Sequence, residues 1–279
     1  MNSIAVLLTC HNRKEITTSC LRRLLELKPN VDVYCVDDAS VDGTPESITR
    51  DFPQVHLIHG DGNLFWCRGM NLAWENAREH GDYDCYLWLN DDLFLYDNAF
   101  VEILNCSKLN NDKAIIGGIV QGVESKKAVY GGFDKNKNVL TPNGEMQEIH
   151  NLNGNFVLVP RYVFETLGFF DKMYHHDVGD VDYGLMAKKQ NIKVLTTRSY
   201  IGSTSEGLKS KHLRIRRDGV NLRKRLKCLY SPLGCNPKID FYFLKKHRGL
   251  VWAILDYSYL HLINLMPDWL FYLVFPKYK

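Results

Sequence analysis

Apolar residues near the start of the chain come in short unbroken runs, and between the runs they recur at helical spacing. Ile4-Ala-Val-Leu-Leu-Thr9 predicts a strand buried on both faces, followed by the loop Cys10-His11-Asn12-Arg13. Ile16, Cys20, Leu21, Leu24, Leu25 and Leu27 line one side of a helix that Pro29 stops. Val31–Val36 predicts a second strand, with Asp42-Gly43-Thr44-Pro45 turning into a helix over Glu46–Arg50. Val55–His59 and Cys85–Leu89 predict strands on either side of a helix over Leu72–His80. Strands alternating with helices imply parallel, right-handed βαβ units. After residue 92 the pattern changes. Short strands are expected at Ile115–Val120, Ala128–Phe133 and Val139–Thr141, and a buried one at Asn155–Val159. Pro160–Leu167 and Val181–Gln190 read as helices, and Lys193–Thr197 as a last strand.

The expected architecture is therefore α/β, one mixed, mainly parallel sheet flanked by helices over residues 1–205, with a boundary near 92 between its halves. Residues 206–279 form a basic, aromatic-rich appendage. The formal charge of +3 conceals an asymmetry. Residues 208–279 hold 15 Lys/Arg against 4 Asp, whereas residues 1–207 hold 20 Lys/Arg against 28 Asp/Glu. A basic tail on an acidic body points to an anionic membrane surface and argues against nucleic acid. The 8 cysteines show no C-x-x-C spacing, and several sit inside apolar runs, as reduced core cysteines do. Met1 leads directly into the first strand without a basic region or cleavage site, so the reading is a protein of the reducing cytoplasm.

Acidic residues close two of the apolar runs, where open α/β sheets bind their ligands. Asp37-Asp38 ends the second strand. An acceptor there can take the imide N–H of a uracil or thymine, or ribose hydroxyls, or it can serve as an ordinary turn cap. Asn90-Asp91-Asp92 ends the fourth. Two adjacent carboxylates repel each other unless a cation compensates, and Mg²⁺ binds through one or two carboxylates plus substrate phosphates; the alternative is a cap for a helix over Leu93–Leu104. In Arg68-Gly69-Met70-Asn71, Arg68 can meet phosphate, Gly69 can admit close backbone approach, and Asn71 can cap or bond a ligand. Asp177, Asp180 and Asp182 precede or open a late helix, beside His175 and His176, which are either metal ligands or structural.

In this order, Thr9-Cys-His-Asn12, Val36-Asp-Asp-Ala-Ser-x-Asp-Gly-Thr44, Gly62-Asn63 with Arg68-Gly-Met-Asn71, Asn90-Asp-Asp92 and Gly179-Asp-Val-Asp-Tyr183 resemble the motifs of family 2 glycosyltransferases. The run Asn153-Gly-Asn-Phe-Val-Leu-Val-Pro-Arg161 is similar to that family's segment before its base-bearing acids. The likeness covers residues 1–200 and is greatest to bacterial polysaccharide enzymes labelled rhamnosyltransferases. It implies a GT-A fold and inverting transfer from a dTDP- or UDP-sugar to a hydroxyl of a polyprenyl-diphosphate-linked glycan. By the same resemblance, Thr9, His11, Asn12, Arg13, Asp38, Arg68, Asn71 and Asp91 bind the donor. Asp92 holds Mg²⁺ or Mn²⁺, Asp180 is the general base, and Asn155, His176 and Asp182 meet the acceptor. Two departures stand out. Gly179 replaces the family's frequent Glu, and Ser199–Thr204 lacks its frequent metal-binding His. Competing readings are a sugar nucleotidyltransferase, for which Thr9–Arg13 lacks a Gly-rich loop, and a catalytically idle nucleotide-sugar-binding subunit.

In the tail, Gly249–Phe275 is rich in Leu, Trp, Tyr and Phe but is interrupted by Asp256, His261, Asn264, Pro267 and Asp268. A spanning helix needs about 20 predominantly apolar residues. The expectation is a peripheral, interfacial segment on the inner membrane face, aided by Lys209, Lys211, Arg214, Arg216, Arg217, Arg223, Lys224 and Arg225.

Overall fold

A computed structural model of the protein describes residues 3–205 and 220–276. These fall into two units, one of residues 3–175 and 179–205, the other of 176–178 and 220–276.

The first unit is built on one nine-stranded sheet. Its first half holds β1 (Ile4–Cys10), α1 (Lys14–Leu27), β2 (Asp32–Asp37), α2 (Thr44–Asp51), β3 (His56–His59), α3 (Phe65–His80) and β4 (Cys85–Leu89). Then come β5 (Phe94–Leu95), α4 (Ala99–Leu109), β6 (Ile115–Gly122), β7 (Ala128–Tyr130), β8 (Phe156–Pro160), α5 (Arg161–Leu167), α6 (Gly179–Lys189) and β9 (Val194–Thr204). The strand order is β3-β2-β1-β4-β8-β6-β9-β5, with β7 paired to β6. β1 pairs in parallel with both β2 and β4, and β2 with β3, so their carboxyl ends share one edge. β8 runs antiparallel to β4, which returns residues 153–155 to that same edge.

The unbroken apolar runs have their physical reason here. Ile4, Val6 and Leu8 of β1 face a core shared with Leu21 and Leu24 of α1, Ile48 of α2 and Ile103 of α4. Ala5 and Leu7 face the opposite core, with Met70, Trp74 and Ala77 of α3, Phe164 of α5 and Tyr183 of α6. A strand covered on both faces has no use for polar alternation.

Four expectations need correction. α3 begins at Phe65, not Leu72, so Arg68, Gly69 and Asn71 lie within a helix rather than ahead of it. Leu93–Leu104 is not one helix. Phe94–Leu95 pairs antiparallel with Gly202 and Ser203 of β9, and α4 starts only at Ala99. Val139–Thr141 forms no strand, and only an isolated bridge joins Val139 to Phe133. β9 runs on to Thr204, seven residues beyond the expected end, held in parallel against β6.

The second unit contains α7 (Leu222–Leu229), α8 (Pro237–Arg248), α9 (Leu250–Leu265) and α10 (Asp268–Val274). Its small core gathers Leu229, Cys235, Leu260, Ile263 and Phe271. Arg225 meets Asp268 at 3.1 Å, and Tyr230 lies 2.7 Å from Nε2 of His261. No helix among the described residues is long and apolar enough to cross a membrane. Lys209, Lys211, Arg214, Arg216 and Arg217 lie outside the described residues.

Candidate active site

Loops after β1, β2, β3 and β4 meet at the shared edge. His11 and Asn12 tie the first two together. Nδ1 of His11 lies 2.6 Å from the carbonyl oxygen of Asp38, which can only accept, so Nδ1 carries the proton. Nε2 then accepts from the Asn12 amide at 2.9 Å. Asn12 sits in the left-handed region at φ 50°. Its backbone N–H donates to Ser40 Oγ, and its Oδ1 accepts from the Val41 N–H, each at 2.8 Å. Asp42 caps the following turn by accepting from the backbone N–H groups of Lys14 and Thr44.

Asp38 is 5% exposed, and its carboxylate organises the loop after β3. Oδ1 accepts from the Gly62 N–H at 2.8 Å, and Oδ2 from those of Leu64 and Phe65 at 3.0 Å. Three donors leave this carboxylate about one free lone pair. Gly60 lies beneath it, where an added Cβ would come within 2.7 Å of Oδ1. In α3, Gly69 packs against Thr9, whose Oγ1 would be 2.5 Å from a Cβ there. The close approach foreseen for Gly69 is thus made by a side chain. Asn71 is buried and exchanges two hydrogen bonds with the backbone of Phe170, at 3.0 and 2.9 Å. Arg68 is half-buried and makes no ion pair among the described residues. Burial, and secondarily the charge of Arg68, lower the His175 pKa. Its Nε2 is buried without a hydrogen-bond partner.

Asp91 and Asp92 share one guanidinium. Nη1 of Arg13 lies 2.9 Å from Asp91 Oδ1 and 3.4 Å from Asp92 Oδ2. Asp91 is 5% exposed, and its Oδ2 accepts from Thr17 Oγ1 at 3.0 Å. Burial raises its pKa from the ordinary Asp value; Arg13 and Thr17 oppose the rise, and the Asp92 charge adds to it. Thr17 was not singled out in the sequence, although its i, i+4 spacing from Arg13 places both on one side of a helix opening at the site. A cavity of about 340 Å³ adjoins the pair, lined by Glu15, Ile16, Ser19, Cys20 and Phe94 among others.

Asn90 reaches across to the opposite wall. Its Oδ1 accepts from the Trp66 indole N–H at 2.8 Å, and its backbone N–H donates to the Asn155 carbonyl at 2.9 Å. Asn155 itself is buried. Next to it, Gly154 donates its N–H to Asp180 Oδ2 at 2.8 Å, while Asp180 Oδ1 accepts from the Val181 N–H. A Cβ on Gly154 would stand 2.5 Å from the Trp66 ring and 3.2 Å from Asp180 Cβ, so only glycine fits between them. Asp180 is half-buried at the start of α6, at the edge shared with Asn90, Asp91 and Asp92. Asp182 turns inward; it is 4% exposed and accepts from the Tyr174 hydroxyl at 2.9 Å. His176 belongs to the second unit, with Nε2 3.9 Å from Asp177.

Among the described residues, no three His, Cys, Asp or Glu side chains converge on a metal position. One observation does fit a divalent ion. Asp92 Oδ1 is buried without a hydrogen-bond partner. A single carboxylate of this kind suits Mg²⁺ or Mn²⁺ when the ion's other ligands are substrate phosphates and water.

A mixed sheet with acids at the ends of its parallel strands is the architecture of the GT-A nucleotide-sugar transferases, and comparison with solved structures agrees. Mannosyltransferase PcManGT from Pyrobaculum calidifontis, solved with GDP-Man and Mn²⁺, is similar at TM-score 0.55 and 15% identity, over 95% of this chain and 76% of that one. TarS 1–349 of S. aureus, solved with UDP-GlcNAc, is similar at TM-score 0.55 and 11% identity, over 93% and 72%. No curated protein matches the chain. The model of glycosyl transferase family 2 matches residues 5–168, and the chain belongs to that family.

Proposed function

We propose that the protein is an inverting transferase that moves a sugar from a dTDP- or UDP-sugar to a hydroxyl of a polyprenyl-diphosphate-linked glycan, in the assembly of a bacterial surface polysaccharide. The observation that carries this reading is the pair of hydrogen bonds from adjacent residues, Gly154 to Asp180 and Asn90 to Asn155, which ties the Asp180 carboxylate to the strand end that carries Asp91 and Asp92. The TarS and PcManGT complexes with nucleotide sugars support the donor class.

In this reading the nucleotide lies over Thr9, His11 and the loop that Asp38 organises, with the free lone pair of Asp38 available to a base or ribose donor. Arg13 and Arg68 meet the diphosphate, and Asp91 keeps Arg13 in place. Asp92 would hold Mg²⁺ or Mn²⁺, which would supply positive charge against the leaving diphosphate. The Gly154 and Val181 N–H groups orient the Asp180 carboxylate, which takes the proton of the attacking hydroxyl as general base. Attack from the face opposite the diphosphate inverts the anomeric centre in one displacement, and no covalent enzyme intermediate forms. Asn71 and Asp182, both buried and bonded to protein, support the walls without touching substrate. The basic tail holds the enzyme peripherally at the inner membrane face, near its lipid-linked acceptor.

Released nucleotide, measured over a panel of UDP-, dTDP- and GDP-sugars with a lipid-linked acceptor, tests the reaction, and NMR of the product's anomeric centre tests inversion. A catalytically idle subunit would bind donor and release nothing. Retention of configuration would refute the single displacement.

A further inference from the structure

The second unit carries an apolar surface that its own core does not use. On α9 the positions Val251, Ile254, Leu255, Tyr259, Leu262 and Leu265 follow i, i+3/i+4 spacing and are 40–69% exposed. Ala253, Leu260 and Ile263, on the other side of the same helix, are buried. The stripe contains no charged residue over 16 residues, a length of about 24 Å. α10 adds exposed Trp269 and Leu273, and the start of α9 adds exposed Trp252. Apolar patches of this extent mark an interaction site.

We infer that this stripe docks into the interfacial layer of a lipid bilayer, with α9 lying in the membrane plane. Charge selects the occupant. Residues 220–276 hold eight Lys/Arg against three Asp, and Arg223, Lys224, Lys227, Lys245 and Arg248 are exposed. A second copy of the same face would bring like charges together around the contact, whereas anionic headgroups complement them. At about 24 Å the helix is shorter than the roughly 30 Å hydrocarbon core, which fits lying along the surface and not spanning it. Trp252 and Trp269 have the amphipathic rings that settle at headgroup depth. The inference shares the bilayer with the peripheral attachment proposed above, but its driving force is burial of apolar surface, so it holds in high salt and without anionic lipid.

Co-sedimentation of the full chain with neutral phosphatidylcholine vesicles in high salt tests it. Wild type should still sediment, and the double substitution Leu255→Asp, Leu262→Asp should lower the partition coefficient by about 100-fold, since two leucyl side chains leave the lipid. Donor-dependent nucleotide release with a soluble acceptor should be unchanged, which separates failure of docking from failure of the transfer reaction. If the double variant misfolds, quenching of wild-type tryptophan fluorescence by brominated lipid gives an independent reading. No quenching, or sedimentation of the folded variant equal to wild type, overturns the inference. So does a wild-type dimer that the same substitutions dissociate. Binding only to anionic vesicles at low salt would leave the electrostatic attachment standing and remove the apolar one.

Discussion

Arg13→Met keeps most of the side chain's length and removes its charge. In the wild type that charge lies 2.9 Å from a carboxylate that is 5% exposed, with a second carboxylate at 3.4 Å. Removing one partner from a fully buried ion pair costs about 3–5 kcal/mol. Here the arginine side chain is 46% exposed and Thr17 still donates to Asp91, so screening reduces the expected loss to about 1–2 kcal/mol. For a unit of this size that lowers Tm by about 2–8 °C. The pH dependence follows from burial, which raises the Asp91 pKa in the folded state. The folded chain then binds more protons than the unfolded one between the ordinary carboxylate pKa and the raised value, so Asp91 costs stability as pH rises through that window. Without Arg13 the window widens upward. The Tm deficit should be largest where Asp91 is ionised in the folded state and shrink as pH falls through its raised folded-state value, where the buried carboxyl is neutralised. Mn²⁺ should recover part of it by supplying the missing positive charge. Scanning calorimetry across that range decides the matter: an equal deficit at every pH, or none at neutral pH, would refute the role given to Arg13.

Asp92→Ala should abolish transfer while changing Tm little, because among the described residues the side chain makes only the long contact to Arg13; near-normal turnover of this variant in EDTA would dismiss the metal assignment. Glu102→Gln should cost about 1–3 kcal/mol at neutral pH, since Glu102 is buried and accepts from the Arg198 N–H at 2.7 Å and guanidinium at 2.8 Å. Although burial opposes ionisation, the Arg198 contacts hold the Glu102 pKa below its usual value, so the advantage over Gln is present at neutral pH and lost as pH falls through the carboxylate range; a loss that persists undiminished in acid would point to shape instead of charge. All eight cysteines are free, and only Cys228 is not fully buried. Burial pushes Cys85 up to about 12 and Cys106 up to about 11, so DTNB should titrate one thiol quickly and the rest only on unfolding; several fast thiols would contradict the packing.

The strands nearest the site were legible because burial on both faces leaves a signature that turns and helices do not share. Ile4–Thr9, Val31–Val36 and Cys85–Leu89 each gave a strand to within a residue, and so placed Asp37-Asp38 and Asn90-Asp91-Asp92 at strand ends. Where long-range pairing overrides local pattern, the reading failed. Phe94–Leu95 is drawn into an edge strand by β9, about a hundred residues later, although Leu93–Leu104 is helical in periodicity. β9 itself crosses the polar segment Arg198-Ser199-Tyr200, which resembles a strand end in isolation. Arg68, Gly69 and Asn71 read as a loop because glycine and asparagine punctuate turns. In the fold, glycine is needed for contact with Thr9, and asparagine bonds the Phe170 backbone. The proton assignment of His11 and the three donors on Asp38 depend on loops far apart in sequence, and no local pattern announces them.

In the proposed mechanism Asp180 takes the acceptor's proton opposite a nucleotide-sugar bound at Asp91 and Asp92. Asp180→Asn is nearly isosteric; it removes basicity together with one of the two acceptors that the Gly154 and Val181 N–H groups use. With the best donor of the panel and its acceptor, steady-state turnover and donor Kd should be measured for this variant beside Asp182→Asn. Turnover of Asp180→Asn should fall by about 10²–10⁴-fold, the usual scale for a lost general base, with donor Kd unchanged. Wild-type turnover in Asp180→Asn, with the large loss appearing instead in Asp182→Asn, would contradict the mechanism.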